Sequence, residues 1–217
     1  NGAFYGTRKA NEKLHIQYAY NDGSIRVVNS TYQDFSGLRA YAKVYDLAMQ
    51  EKFSGEATVD IRSDESLRIV FPGMPTNAGE MTFIKLTLNG SDGKLISSNF
   101  SWLSGKGDKD ADFTALNNLP KVELKCSVST VSLEKGIYKV SVEIENPSSS
   151  LAFAVNPKIL GNVSKDLILP VFWEDNYFAL LPGEKRQLKV EFSESNLNNE
   201  KPVFAIDGWN IRKAEKE

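Results

Sequence analysis

Apolar residues recur at every second position in short runs along most of this chain, and no window of a dozen residues sustains a helical period. A period of two sends successive side chains to opposite faces of an extended backbone, so each run is expected to be a strand with one buried face. Leu14, Ile16, Tyr18 and Tyr20 line one such face. Asn21-Asp22-Gly23-Ser24 then supplies hairpin-turn residues ahead of Ile25-Arg26-Val27-Val28. Further strands are expected at 38–47, 57–61, 67–71, 82–88 and 96–102, punctuated by Phe71-Pro72-Gly73 and Asn89-Gly90-Ser91-Asp92-Gly93. About seven short strands in about a hundred residues predict a β-sandwich.

The alternation lapses after Ser104, where Gly105, Gly107 and the acidic residues Asp108, Asp110 and Asp112 stand. It resumes after Pro120, with strands expected at 122–128, 137–144, 151–155, 167–173, 187–192 and 203–209. The expected organisation is a sandwich at 13–104, a linker at 105–120 and a second sandwich at 121–217. Fold class is therefore all-β, two tandem antiparallel β-sandwiches, because the strand-then-helix rhythm of a parallel sheet or an alternating barrel is missing. Residues 4–11 could be the frayed end of a helix, and 1–12 are read as a linker from an upstream domain. The chain opens at Asn1 without a methionine or an apolar leader, and is expected to be a piece of a longer polypeptide.

A formal net charge of −2 with interspersed signs provides no basic stripe, which excludes nucleic acid as a partner. The longest uncharged apolar run, 167–173, contains Pro170 and is too short to span a bilayer, so no membrane partner is expected. Cys126 is the single cysteine and alternates with Val122, Leu124 and Val128, which reads as a small buried hydrophobe on the inward face of a strand. Sequons begin at Asn29, Asn89, Asn99 and Asn162, a short pattern that decides nothing alone.

Catalytic chemistry is hard to place. Glu134, Glu143, Glu145, Glu174, Glu184 and Glu191 lie at strand ends or opposite apolar neighbours, where a solvated face explains them. Asp108-Lys109-Asp110-Ala111-Asp112 fails the EF-hand test, since Phe113 stands where the loop needs glycine and Leu119 where it needs glutamate. One histidine and one cysteine cannot form a zinc cluster. His15, flanked by Leu14 and Ile16, is expected to point away from the core. No phosphate-binding loop, dinucleotide fingerprint or nucleophile elbow is present, so no catalytic residue, metal or cofactor is assigned. Among the aromatics, Trp102 and Trp209 are in phase with apolar neighbours and read as core or inter-domain packing. Tyr177 and Phe178 precede the turn Leu181-Pro182-Gly183-Glu184, in which Pro182 pre-sets φ and Gly183 supplies the positive φ of a type II turn. One of two adjacent residues on an extended segment must face outward, leaving open a structural role or a contact with ligand or partner.

Five groups of residues carry a family resemblance. Val27-Val28-Asn29-Ser30, then Leu38 to Leu47 with Val44-Tyr45-Asp46, is similar to the first strands of a domain that follows a catalytic barrel. Phe4-Tyr5-Gly6-Thr7-Arg8-Lys9-Ala10-Asn11-Glu12-Lys13-Leu14 resembles the exit from a catalytic barrel, and Asn99-Phe100-Ser101-Trp102-Leu103-Ser104 a closing strand. Asp112-Phe113-Thr114-Ala115-Leu116-Asn117-Asn118-Leu119-Pro120 resembles a connector. The run from Trp173 to Glu184, with Asp207-Gly208-Trp209-Asn210, is similar to a terminal domain. Together they resemble the C-terminal immunoglobulin-like domains of glycoside hydrolase family 2 enzymes of the β-mannosidase and exo-β-glucosaminidase type. The resemblance implies that both sandwiches are immunoglobulin-like and that the parent protein is a retaining exo-glycosidase, with a periplasmic or secreted location favoured. It also implies that this piece is a non-catalytic support for a barrel belonging to the same polypeptide, since none of the family's catalytic motifs matches a position here. Contact with the catalytic domain or substrate is expected at Trp173, Asp175, Asn176, Tyr177 and Phe178. The competing reading is a free-standing carbohydrate-binding or adhesin-type module, and a thinner one is a weak lyase or hydrolase built on the sandwich.

Overall fold

The computed structural model describes residues 2–75, 79–106 and 109–216, and strands dominate them. Among the described residues one α-helix, α1 (Gly2–Ala10), precedes fifteen strands. The chain divides into two compact units, Gly6–Leu116 and Asn1–Tyr5 with Asn117–Glu217.

In the Gly6–Leu116 unit the strands are β1 (Leu14–Ala19), β2 (Ser24–Asn29), β3 (Phe35–Tyr45), β4 (Glu51–Ile61), β5 (Glu65–Ile69), β6 (Thr82–Asn89) and β7 (Leu95–Leu103). They form an antiparallel sheet β1-β2-β5 facing an antiparallel sheet β4-β3-β6-β7. The alternation explains the facing, because Ile16, Val27, Leu38, Ala40, Val44, Ile84, Leu86 and Leu88 all enter one core. The β1–β2 hairpin pairs Ala19 with Ser24, and Gly23 adopts φ +66° as its main-chain N–H donates to the Ala19 carbonyl at 2.8 Å. The Asp22 carboxylate locks this turn by accepting from the Ser24 hydroxyl at 2.6 Å and the Ser24 N–H at 3.0 Å, with Arg26 at 3.1 Å on its other oxygen.

Two expectations are corrected here. His15, expected to point away from the core toward solvent or a neighbouring domain, lies outside the core cluster but is not solvent-exposed: it is 5 % exposed, with Nδ1 2.6 Å from the Glu12 carbonyl and Nε2 3.3 Å from Gln17 Oε1. The segment leading into β1 folds back over it and satisfies the ring. Trp102 is not a core residue but is 37 % exposed, because β7 meets β6 with Ser97, Asn99 and Ser101 opposite the inward Leu88, Leu86 and Ile84. Small polar residues therefore occupy the core phase, where Ser97 donates to Glu12 at 2.8 Å and Ser101 to Asn99 at 3.0 Å. Phe100 and Trp102 take the outward phase.

The second unit contains β8 (Lys125–Glu134), β9 (Ile137–Glu145), β10 (Ala152–Gly161), β11 (Val171–Trp173), β12 (Phe178–Leu180), β13 (Lys185–Ser193), β14 (Pro202–Asp207) and β15 (Ala214–Lys216). Its sheets are β11-β13-β9-β8 and β12-β10-β14-β15, again antiparallel. Val142, Ile144, Val155, Trp173, Leu180, Leu188, Val190, Phe192, Phe204 and Ile206 interdigitate between them, and Cys126 packs half-buried against this core. The strand expected at 167–173 shrinks to β11, and β8 extends past its expected end to Glu134. β12 and β15, three residues each, are too short to leave a periodic signal.

The turn Leu181-Pro182-Gly183-Glu184 closes as expected, with Gly183 at φ +75° and Glu184 N–H donating to the Leu181 carbonyl at 3.0 Å. What seats it is Asn146, a fully buried side chain at the end of β9. Its amide donates to the Ser150 carbonyl at 2.8 Å and the Leu180 carbonyl at 2.9 Å, while its Oδ1 accepts from the Ser148 hydroxyl at 2.8 Å.

Two outcomes are expected. Asn146→Ala leaves buried carbonyls without donors and should destabilise the chain by about 2–4 kcal/mol, read as a lowered denaturation midpoint. The Ser24 and Arg26 hydrogen bonds lower the Asp22 pKa to about 2 from an ordinary 3.8. Since the folded value is depressed, its stabilising contribution is present above the ordinary value and is lost as pH falls through about 2. Asp22→Asn should flatten that part of the acid-unfolding curve and leave the rest unchanged.

Candidate functional site

The segment joining β11 to β13 contains the residues that the sequence singles out. Trp173 pairs with Val190 and lies in the core against Phe204, ring centroids 6.2 Å apart. Phe178 opens β12 opposite Val155 of β10 and is also buried. A bulge in β10, with Ala154 at φ +52°, lets this short strand join the sheet. Asn176 is buried, and its amide donates to the Pro157 carbonyl at 3.1 Å. Asp175 Oδ2 meets Arg186 Nη1 at 2.6 Å, and Asp175 Oδ1 accepts from the Asn176 N–H at 2.8 Å.

Tyr177 alone of the five is displayed, at 42 % exposure. Its backbone sits at φ +58°, left-handed for a bulky aromatic, a conformation that costs about 1–3 kcal/mol and persists only where the surroundings impose it. Asn176 Oδ1 imposes it by accepting the Tyr177 N–H at 2.8 Å. The ring is thereby directed against the first turn of α1: a Cβ on Gly2 would stand 3.5 Å from Tyr177 Cγ, and the Tyr5 ring centroid is 6.4 Å away. Tyr5 in turn makes an edge contact with Phe4 at 5.1 Å. Phe4, Tyr5 and Tyr177 form a continuous aromatic strip, and Phe4 and Tyr177 are exposed.

Arg186 completes the arrangement. Its guanidinium lies 4.4 Å from the Phe178 ring centroid while it pairs with Asp175, so one cation ties the two ends of the segment together. The strand alternation carried the signal for it, because Arg186 shares the inward phase of Leu188, Val190 and Phe192. Asn210, which the sequence marks only as part of a family phrase, is a second hub: its buried amide donates to the Pro120 and Leu151 carbonyls at 2.8 and 2.7 Å, and its Oδ1 accepts the Phe153 N–H at 2.9 Å. Trp209 beside it is 51 % exposed, so of the expected core or inter-domain packing the core placement does not hold; it lies two residues past the end of β14, with its N–H donating to the Phe153 carbonyl at 3.0 Å.

No three His, Cys, Asp or Glu side chains converge as a metal site among the described residues. In the acidic run, Gly107 and Asp108 lie outside the described residues. Asp112 accepts from the Thr114 hydroxyl at 2.6 Å and its N–H at 3.0 Å and pairs with Lys106, which holds its carboxyl well below the usual range. No helix among the described residues is long and apolar enough to cross a membrane.

A family model described as the exo-β-D-glucosaminidase Ig-fold domain matches residues 102–211. The chain belongs to this family. An exo-β-D-glucosaminidase of Amycolatopsis orientalis is 34% identical to the chain over 230 residues, covering 97% of the chain and 22% of the relative. The crystal structure of an exo-chitosanase from the same organism superposes with a TM-score of 0.87 at 32% identity, covering 99% of this chain and 28% of that one. A β-D-mannosidase from Dictyoglomus thermophilum shares the fold, with a TM-score of 0.64 at 16% identity and 97% and 23% coverage. The chain thus spans about a quarter of the length of the exo-β-D-glucosaminidase relatives it matches and corresponds to their Ig-fold portion.

Within this Ig-fold domain, Arg186→Ala is expected to lower stability by about 1–2 kcal/mol through the combined loss of the cation–π contact and a half-exposed ion pair. Arg186→Lys, which keeps the charge but not the planar face, should fall between. Urea denaturation of the three proteins checks the order.

Proposed function

We propose that this chain is a non-catalytic accessory part of a retaining exo-glycosidase acting on β-linked glucosamine or a related sugar such as mannose, and that it packs on and supports the catalytic barrel of the same polypeptide. In this reading 13–104 and 121–217 are the two immunoglobulin-like domains, 105–120 is their connector, and 1–12 leads in from the barrel. The family match over a quarter of the relatives' length carries the proposal. The electrostatics support it. A glycosidase needs one carboxyl held protonated by a raised pKa. The carboxyls of Asp22, Asp46, Asp92, Asp112, Glu134 and Glu200 are each displaced downward, the opposite direction.

Of the five residues in the Trp173 to Phe178 segment, Tyr177 is the one that touches the catalytic domain. Trp173, Asp175, Asn176 and Phe178 hold it in place. Helix α1 supports this assignment, because none of its residues is buried and nine residues are too few for a stable helix in water. Tyr5 packs on the core of the second unit, and the Phe4-Tyr5-Tyr177 strip is the apolar surface through which the barrel meets the helix.

The test uses the enzyme containing this chain and the chain alone, with p-nitrophenyl-β-D-glucosaminide as substrate. The chain alone should show no turnover. In the whole enzyme, Tyr177→Ala should lower kcat about three- to tenfold or raise KM, since small displacements of a supporting domain misplace cleft loops. Turnover by the chain alone, or unchanged kinetics and thermal stability in the variant, would overturn the proposal.

A further inference from the structure

We propose that β8 is an interaction surface for a second copy of this chain, pairing antiparallel with the same strand about a two-fold axis between Ser129 and Thr130. The other edge strands of the second unit, β11, β12 and β15, are three residues long, whereas β8 has ten residues and lies at the edge of its sheet. Short edges, prolines and charges are the usual protections against strand addition. In β8 the only charges stand at its two ends, Lys125 and Glu134, and proline is absent.

The strand is self-complementary. Read antiparallel against itself about that axis, Lys125 faces the partner's Glu134, Cys126 the partner's Leu133, Ser127 the partner's Ser132, and Val128 the partner's Val131. Opposite charges meet at both ends, hydroxyl meets hydroxyl, and apolar meets apolar, the combinations that stabilise cross-strand pairs. A regular strand would spoil this match, because Val131 is three positions after Val128, an odd step that would put them on opposite faces. β8 is not regular. A bulge between Val128 and Thr130 shifts the register, so that Val128 lies opposite Val142, Val131 opposite Val140 and Leu133 opposite Tyr138, all on the core side of β9.

The bulge thus keeps both halves of the apolar row on one face, yet that face is incompletely covered. Val131 is 57 % exposed and Leu133 46 %, although their partners Val140 and Tyr138 pack against the core. Ile211, in the segment between β14 and β15, bridges Val122 in parallel ahead of β8, and β15, the last strand of the opposing sheet, is only three residues long. A second copy supplies the missing neighbours, with each Val131 packed on the partner's Val128, in an isologous contact that closes as a dimer.

Sedimentation velocity of the full chain over a concentration series tests this, with Val131→Lys, Lys125→Glu, Glu134→Lys and the double charge reversal as variants. The wild-type chain should show a dimer that grows with concentration. Val131→Lys should be monomeric with an unchanged unfolding midpoint, since the exposed side chain contributes little to the fold. Each single reversal places like charges together at both ends and should weaken the dimer about tenfold, and the double reversal should restore it. Glu134 also pairs with Lys139 of its own chain at 2.8 Å, so restoration by the double reversal, rather than loss in a single one, reports the contact between copies. A chain that stays monomeric throughout, or a Val131→Lys dimer of undiminished strength, would overturn the proposal. A double reversal no stronger than the single ones would overturn the register.

Discussion

A β-sandwich satisfies its backbone within each sheet but not where the chain crosses from one sheet to the other, and here buried asparagine amides close that gap. Asn29 donates to the Gln33 and Arg62 carbonyls, Asn146 to Ser150 and Leu180, Asn176 to Pro157, and Asn210 to Pro120 and Leu151. Each is buried. The asparagine side chain suits the task because it presents two donors and an acceptor on a short stem, matching a carbonyl pair and an N–H from converging loops. A buried carbonyl without such a donor costs as much as several apolar contacts give, so the turns depend on these four side chains.

The Tyr177 segment shows how such anchoring is turned toward display. Trp173 and Phe178 secure its two ends in the core, Asn176 secures its middle to β10, and Arg186 spans from Asp175 to the Phe178 ring. With all four neighbours occupied, Tyr177 has one conformation open to it, left-handed and outward. Strain at a bulky residue is tolerated where several independent contacts enforce it. The outcome is an aromatic ring held ready against the first turn of α1 instead of one that must be ordered on contact.

How far the residue pattern reaches can be judged from particular strands. β1, β2, β6, β9 and β13 are legible because their apolar phase is the buried phase. β7 misleads: its apolar residues Phe100 and Trp102 face outward while Ser97 and Ser101 are buried, and periodicity cannot say which phase faces in. His15 misleads for a related reason, since the residue that covers it, Glu12, belongs to a segment with no periodic signal. In the candidate site, the sequence marks the right segment but assigns all five residues one role. Burial separates four of them from Tyr177, and Arg186 joins only because β13 and β12, in opposing sheets, bring its guanidinium over the Phe178 ring.

The chain's residues alone determined its all-β class, its two sandwiches, the Pro182-Gly183 turn and the family resemblance, because all of these follow from local spacing, turn stereochemistry and contiguous phrases. Tertiary structure decided which face of β7 is buried, which asparagines carry the crossings, and that Tyr177 is strained outward. Those outcomes depend on what lies opposite a residue across a sheet or between two sheets. Such neighbours come from positions tens of residues away, with no spacing rule linking them.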